Sequence, residues 1–228
     1  LDKSIYVCFK LKQSHFLINL EIAKQKIMCG ISGFIDFNKK SSQEILKSMT
    51  DTLSHRGPDG SGYQFFESES NQVGLGHRRL SIIDLTETGS QPMQFKHLWM
   101  TYNGEVYNFR EIKTELIELK HSFVGQSDTE VILHAFEEWG ISCIQKFIGM
   151  FAFVIYDNKK EEVYFVRDRA GIKPFFYYWH EGTFLFASEL KAFHQHPHFK
   201  KEINTHAVAA FIQYGNVPTP HCIFNHSY

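Results

Sequence analysis

Met28-Cys29-Gly30-Ile31-Ser32-Gly33-Phe34 is the stretch around which the chain is organised. The methionine reads as a start codon inside a longer sequence. If translation begins there and the residue is trimmed, Cys29 becomes the N-terminus. One residue then carries a thiol and a free α-amine. Such an amine titrates at about 7.7–8.0, so much of it accepts protons near neutral pH. A thiol is a modest nucleophile until a base or a cation activates it. An N-terminal cysteine therefore holds a nucleophile and its base together. The ordinary alternative is a small buried residue at the start of a strand. The rest of the chain decides between the two.

Upstream of this stretch, two short apolar runs, at residues 5–9 and 16–20, are split by Lys10, Lys12 and Gln13. A secretory signal needs an unbroken apolar core of about 7–15 residues and a small-residue cleavage site. Neither is present. Residues 1–28 are thus expected to be a mis-assigned start, a cleaved pro-segment or a retained extension. The last would leave the Cys29 nitrogen tied up in a peptide bond.

Composition excludes more than it identifies. The 228 residues are 43% hydrophobic and 21% charged, with a formal net charge of -1. That balance gives no electrostatic argument for nucleic acid or for an anionic membrane. No apolar run reaches the roughly 18 residues that span a bilayer. Cys8, Cys29, Cys143 and Cys222 show no paired spacing, which suits a reducing compartment, expected to be the cytoplasm. His194, His196 and His198 alternate around Pro197 without an acidic or cysteine partner, so a solvated loop is expected and no metal.

Periodicity gives the elements. Residues 31–37 alternate as a strand. Ser41 and Ser42 offer an N-cap to a helix carrying Ile45, Leu46, Met49 and Leu53 on one face. It ends at His55-Arg56-Gly57-Pro58-Asp59-Gly60, a turn with a charged tip. Residues 63–66 and 72–76 form a hairpin. His77-Arg78-Arg79-Leu80-Ser81-Ile82-Ile83-Asp84 leads into an apolar strand, with His77 and Arg78 expected on a solvated face and Arg79 near the sheet. Residues 86–96 read as a polar loop. A strand at 97–102 is expected to stop at Asn103-Gly104-Glu105, exposing an amide side chain beside a bare backbone N–H. Asn108 then caps a helix with Phe109, Ile112, Leu116 and Leu119 on one face. Ser127-Asp128-Thr129-Glu130 has capping-box spacing ahead of the next helix, although capping has no use for Asp128. Strands follow at 150–156 and 163–166, then the charged loop Arg167-Asp168 to Pro174. A hairpin at 175–179 and 184–187 precedes short helices at 188–193 and 204–214. Strands, helices and strands again predict an α+β or layered chain rather than a βαβ repeat.

Taken in order, Met28-Cys29-Gly30-Ile31-Ser32-Gly33, His55-Arg56-Gly57-Pro58-Asp59, Arg79 to Asp84, Asn103-Gly104-Glu105-Val106-Tyr107-Asn108, Ser127-Asp128-Thr129-Glu130, Gly149-Met150-Phe151-Ala152-Phe153 and Arg167-Asp168 through Pro174 resemble class II glutamine amidotransferase domains. The pattern is most similar to the glutaminase domain of glutamine-hydrolysing asparagine synthetases. The resemblance covers residues 29–200, and residues 201–228 resemble the lead-in to a synthetase domain.

The resemblance implies an Ntn-hydrolase fold, a four-layer αββα sandwich with two antiparallel sheets. It implies hydrolysis of L-glutamine by Cys29, with an oxyanion hole from Asn103 and Gly104. It implies that Arg79 holds the substrate carboxylate, that Asp128 and Glu105 face its ammonium, and that Leu80, Ser81, Ile82 and Ile83 line it. Arg56 and Asp59 are expected to frame Cys29, and Arg167 and Asp168 to form structural ion pairs. No cofactor is expected for the glutaminase; ATP and Mg²⁺ belong to the synthetase domain, the expected partner in cis, and a homodimer is compatible. Other class II amidotransferases, of amino-sugar or purine pathways, and an inactive fragment in which Cys29 is not N-terminal stay open.

Overall fold

A computed structural model describes residues 28–80 and 89–228, together with residues 6 and 7. The expectations for the remaining upstream residues, and for Ser81, Ile82 and Ile83, lie outside the described residues.

Two five-stranded sheets make up the middle of the molecule. One contains β3 (Gly60–Glu67), β4 (Gln72–Arg79), β2 (Gly30–Asp36), β10 (Thr183–Ala187) and β9 (Phe176–His180), in that spatial order and antiparallel throughout. The other runs β1 (Tyr6–Val7), β8 (Glu162–Arg167), β7 (Gly149–Asp157), β6 (Leu98–Val106) and β5 (Met93–Phe95). It is antiparallel except for β1, which pairs parallel with β8.

Strand parity shows how the layers stack, because successive side chains leave a strand on opposite faces. Along β7, Phe151, Phe153 and Ile155 join a core with Ile112 and Leu116 of α2 (Phe109–Glu118) and with Val131, Ile132 and Ala135 of α3 (Asp128–Trp139). The intervening Ala152, Val154 and Tyr156 join a second core with Ile31, Ile35, Val73, Leu75 and Phe186 of the other sheet. On the far side of that sheet, Phe34 and Leu185 meet Leu46, Met49 and Leu53 at α1 (Gln43–Asp51). Three apolar interfaces separate four layers, helix, sheet, sheet, helix, as the α+β αββα expectation required. The central seam is aromatic: the Phe165 ring lies 4.6–6.1 Å from those of Phe175, Phe184 and Phe186, and Phe175 stacks 6.0 Å from Phe186. Such contacts add to what burial alone contributes.

Several local expectations are met and others shift. Ser42 caps α1 and Asn204 caps α4 (Thr205–Tyr214) with their side-chain oxygens. The short helices at 140–145 and 190–195 are 3-10 turns. Glu130 does not complete a capping box; its carboxylate accepts the N–H groups of Val124 and Gly125 instead. Asn108 precedes α2 but its side chain binds the backbone of Lys146 and Ile148. Leu119 is exposed at the end of that helix. The loop expected at residues 86–96 contains β5, a strand too short to show alternation. His196 is buried rather than solvated. It bonds to Ser41, whose hydroxyl donates to Asp36.

No helix among the described residues is long and apolar enough to cross a membrane. Phe186→Ala tests the inter-sheet seam. Loss of that ring is expected to lower unfolding free energy by about 3–5 kcal/mol, read as a drop in the urea midpoint. An unchanged midpoint would mean the two sheets do not depend on the seam.

Candidate active site

Strand register determines what stands around Cys29. Gly30 pairs with Arg78 in the β2–β4 ladder. The start of β2 therefore lies beside the end of β4, which brings Cys29 next to Arg79 and Leu80. The Leu80 N–H donates to the Cys29 Sγ at 3.4 Å, and the thiol faces the Leu80 carbonyl at 3.7 Å. Arg56 donates from Nε to the Cys29 carbonyl at 3.1 Å and from Nη1 to Glu189 at 3.1 Å. Its Nη2 is buried without a partner. The turn before β3 is tight: a Cβ on Gly57 would stand 2.3 Å from the Arg78 carbonyl carbon. The Asp59 N–H then donates to the Arg79 carbonyl.

The second wall is β6. The strand does not stop at Tyr102; it continues through Val106, with Asn103 opposite Ala152 and Gly104 opposite Phe151. The expected strand end is thus a strand interior. Asn-Gly is there for packing: a Cβ on Gly104 would meet the Met150 carbonyl oxygen at 2.5 Å and the Phe151 Cα at 2.6 Å. The donor pair survives the correction. Thr101 points into the seam and donates to the Gly76 carbonyl at 3.0 Å. Asn103, two residues on, points the same way. It is 1% exposed, and its Nδ2 has no hydrogen-bond partner. A buried amide without a partner is rare, because leaving it unpaired costs roughly 1–3 kcal/mol.

The Gly104 N–H follows from ladder geometry. Phe151 turns both its backbone groups to Asp168, on the β8 side: its N–H donates to the side-chain Oδ2 and its carbonyl accepts the Asp168 N–H. Gly104 opposite it is therefore a non-hydrogen-bonded pair, and its N–H faces the other edge. On that edge the Tyr102 N–H goes to Gln91 Oε1 at 2.6 Å and the Val106 N–H to Asp128 Oδ2 at 3.0 Å. The Gly104 N–H stands between these two capped donors.

Charges sort across the site. Asp128, the first residue of α3, also accepts the Tyr102 hydroxyl at 2.6 Å. Burial pushes its carboxyl above the usual range, against the Tyr102 and Val106 bonds that favour the ionised form, and the nearby Glu105 charge raises it further. Burial likewise raises the Cys29 thiol, opposed by the Leu80 N–H and the positive charges of Arg79 and Lys173. Acid groups thus gather at Asp128 and Glu105, and basic groups at Arg79, Arg56 and Lys173, around one sulfur. Arg167 and Asp168 are not an ion pair. Arg167 donates to the carbonyls of Gly171 and Lys173, and Asp168 collects the N–H groups of Phe151, Ala170, Ile172 and Lys173. Together they hold the 168–173 loop against β7.

Four residues at the site escape sequence reasoning. His77 is 1% exposed, not solvated, and its Nε2 bonds the Tyr102 carbonyl at 3.1 Å across the sheets. The signal was there: Val73, Leu75 and His77 share one strand face. Arg78 is likewise mostly covered and lies 3.6 Å from Asp51. Tyr102 orients Asp128, and Lys173 is buried beside Met28; neither carries a spacing signal. Among the described residues no group of three or more His, Cys, Asp or Glu could hold a metal ion.

An αββα sandwich with a cysteine at the head of its central strand is the architecture of the Ntn-hydrolase amidotransferases. Among solved structures the chain is similar to the glutamine phosphoribosylpyrophosphate amidotransferase from B. subtilis, with a TM-score of 0.62 and 21% identity over 73% of this chain and 43% of that one. A family model described as "Glutamine amidotransferase domain" matches residues 28–227, and the chain belongs to that family. It is 37% identical over 220 residues to a putative glutamine-hydrolysing asparagine synthetase 2 of Methanocaldococcus jannaschii, covering 88% of this chain and 42% of that protein. It is 41% identical over 199 residues to glutamine-hydrolysing asparagine synthetase 3 of Bacillus subtilis, covering 85% and 32%. The chain thus spans well under half of these relatives' lengths.

Burial lowers the His77 pKa from 6.5 to about 4, against the Tyr102 bond, which raises it, and with the Arg79 charge lowering it further. The fold therefore favours the neutral ring. Its stabilisation is complete above the unfolded value of 6.5 and is lost as pH falls through 4. His77→Gln keeps a donor for Tyr102 but cannot titrate. Urea midpoints between pH 7 and 4 are expected to fall less steeply in the variant. His134 and His196, also lowered to about 4, keep some slope in both proteins. Parallel slopes would show that protonating His77 costs the fold nothing.

Proposed function

We propose that this glutamine amidotransferase domain hydrolyses L-glutamine to glutamate and ammonia through a thioester on Cys29, once Cys29 is the N-terminal residue. One observation carries the reading: a buried, unpartnered Asn103 amide beside an edge-facing Gly104 N–H, at the site that holds the cysteine. A buried amide without an acceptor among the described residues, next to an edge-facing backbone N–H, is what a developing oxyanion requires.

The α-amine of Cys29 takes the thiol proton, through a water, as the sulfur attacks the side-chain amide carbon. Asn103 Nδ2 and the Gly104 N–H receive the charge on the oxygen. Collapse breaks the C–N bond, and the proton held by the ammonium leaves with ammonia. Water then attacks the thioester, the amine again taking a proton, and releases glutamate and the free thiol. Arg79 forks onto the substrate α-carboxylate. Asp128 and Glu105 face the α-ammonium, with the Tyr102 hydroxyl helping Asp128 stay ionised despite its burial. The Leu80 N–H touches the sulfur, and the family resemblance assigns Leu80 with Ser81, Ile82 and Ile83 to the substrate.

The ammonia would serve ATP-dependent asparagine synthesis in a domain outside this chain, as the similarity to asparagine synthetases and the short span of the match support. ATP and Mg²⁺ belong to that domain, and no residue of this chain is assigned to them. Residues 1–28 matter here, because an amide-linked Cys29 has no free base.

Intact-mass analysis of the protein from its natural locus is expected to place the N-terminus at Cys29; retention of Met28 would remove the base and the mechanism with it. Cys29→Ala is expected to abolish ammonia release from glutamine in a folded protein. Asn103→Ala should lower kcat by about 10²–10³-fold with little change in KM. Arg79→Ala should mainly raise the glutamine KM. An Asn103 variant that changes KM alone would make the amide a binding group and not an oxyanion donor.

A further inference from the structure

We propose that Lys173 is the electrostatic positioning residue of the Cys29 nucleophile: its buried ammonium, seated against the residue that precedes the cysteine, is the counter-charge that stabilises the thiolate when the thiol gives up its proton. The inference rests on the reading of Cys29 as nucleophile.

Lysine is among the residues least often fully buried without a partner. Lys173 is 4% exposed. Its backbone is fixed on both sides, the N–H donating to Asp168 Oδ2 at 3.0 Å and the carbonyl accepting from Arg167 Nε at 2.7 Å. The side chain therefore starts from a set place and ends with Nζ 3.0 Å from the Met28 Sδ. A thioether is a weak acceptor and carries no charge. Asp168 is near, but its two oxygens already accept four backbone N–H groups. Among the described residues the ammonium is thus buried without a close carboxylate of its own.

The charges that face it come from several elements. Arg56, at the turn after α1, repels it; Cys29, Glu105 of β6 and Asp168 of its own loop attract it; burial itself favours the neutral amine. Cys29 in turn is faced by the Leu80 N–H, Arg79 at the end of β4, and Lys173. The Cys29 charge is also felt by Tyr102 of β6. Two cations therefore support the thiolate. Arg79 is the one assigned to the substrate carboxylate, so glutamine neutralises it on binding. Lys173 stays available to the sulfur throughout.

Trimming adds a consequence. Met28 supplies the atom that Nζ touches, and its removal leaves the new amino terminus next to the same cation. Adjacent like charges disfavour each other, so Lys173 also biases the Cys29 amine toward the free base.

The test reads the sulfur directly. Carbamidomethylation of Cys29 by iodoacetamide is followed in the full chain from about pH 6 to 10 by peptide mass spectrometry, because only the thiolate reacts. Lys173→Met keeps the length of the side chain and removes the charge; Lys173→Gln is a second neutral variant. Either is expected to slow the reaction about tenfold near neutral pH and move the profile about one unit alkaline. Lys173→Arg retains a cation and is expected to stay within about twofold of the parent. Neutral variants that react like the parent overturn the proposal, and so does an Arg variant as slow as the Met variant. Ammonia release from glutamine is measured separately on the parent beginning at Cys29. An inert parent whose sulfur still depends on Lys173 overturns the proposed function alone; an active parent with a lysine-independent sulfur overturns this inference alone.

Discussion

The register between β2 and β4 is the constraint on which the site depends. With Gly30 opposite Arg78, the cysteine at the head of one strand meets the arginine and the backbone at the foot of the other. Side chains alternate with a period of two, so a slip of one residue would turn Ile31 and Ile35 out of the seam and Phe34 into it. The apolar face therefore locks the position of the polar end. Cross-sheet bonds, His77 to Tyr102 and Thr101 to Gly76, tie the second wall to the first. Stability and chemistry are set by the same few ladders.

Around that register, polar groups are placed by backbone demand more than by charge pairing. Asp168 serves four N–H groups, Arg167 two carbonyls, and Arg56 the carbonyl of the cysteine. These residues shape loops whose ends carry the ionisable groups of the site. Burial then sharpens each charge, since a low-dielectric surrounding strengthens both the attractions and the penalties. A buried carboxylate needs the Tyr102 hydroxyl, and a buried thiol needs nearby cations.

Much of this was legible from local pattern. Periodicity located the central strands and α1, α2 and α3, and their alternation implied layered sheets. Cys29 stood out as a nucleophile with its own base and Asp128 as unneeded for capping, whereas the roles of Arg79, Asn103 and Asp128 came from the family resemblance. What was hidden depended on tertiary contact. Asn103-Gly104 reads as a turn from statistics, but Gly104 is a glycine because β7 passes too close for a Cβ. Lys173 sits in a charged loop that gives no hint of burial. His77 was recoverable from the parity of Val73 and Leu75, but its polar type outweighed that signal. Arg167 and Asp168, adjacent and opposite in charge, suggested a pair; loop closure made better use of them.

Beyond β5, the edge of β6 pairs with no strand among the described residues, and open edges invite other strands to add to a sheet. Here the invitation is withdrawn on both sides. Gln91 takes the N–H of Tyr102 and Asp128 takes that of Val106, leaving one donor between them. Strand addition needs a run of alternating donors and acceptors, whereas a single small carbonyl needs one. The edge is thus capped on either side of Gly104, which leaves no run of free donors for an incoming peptide strand.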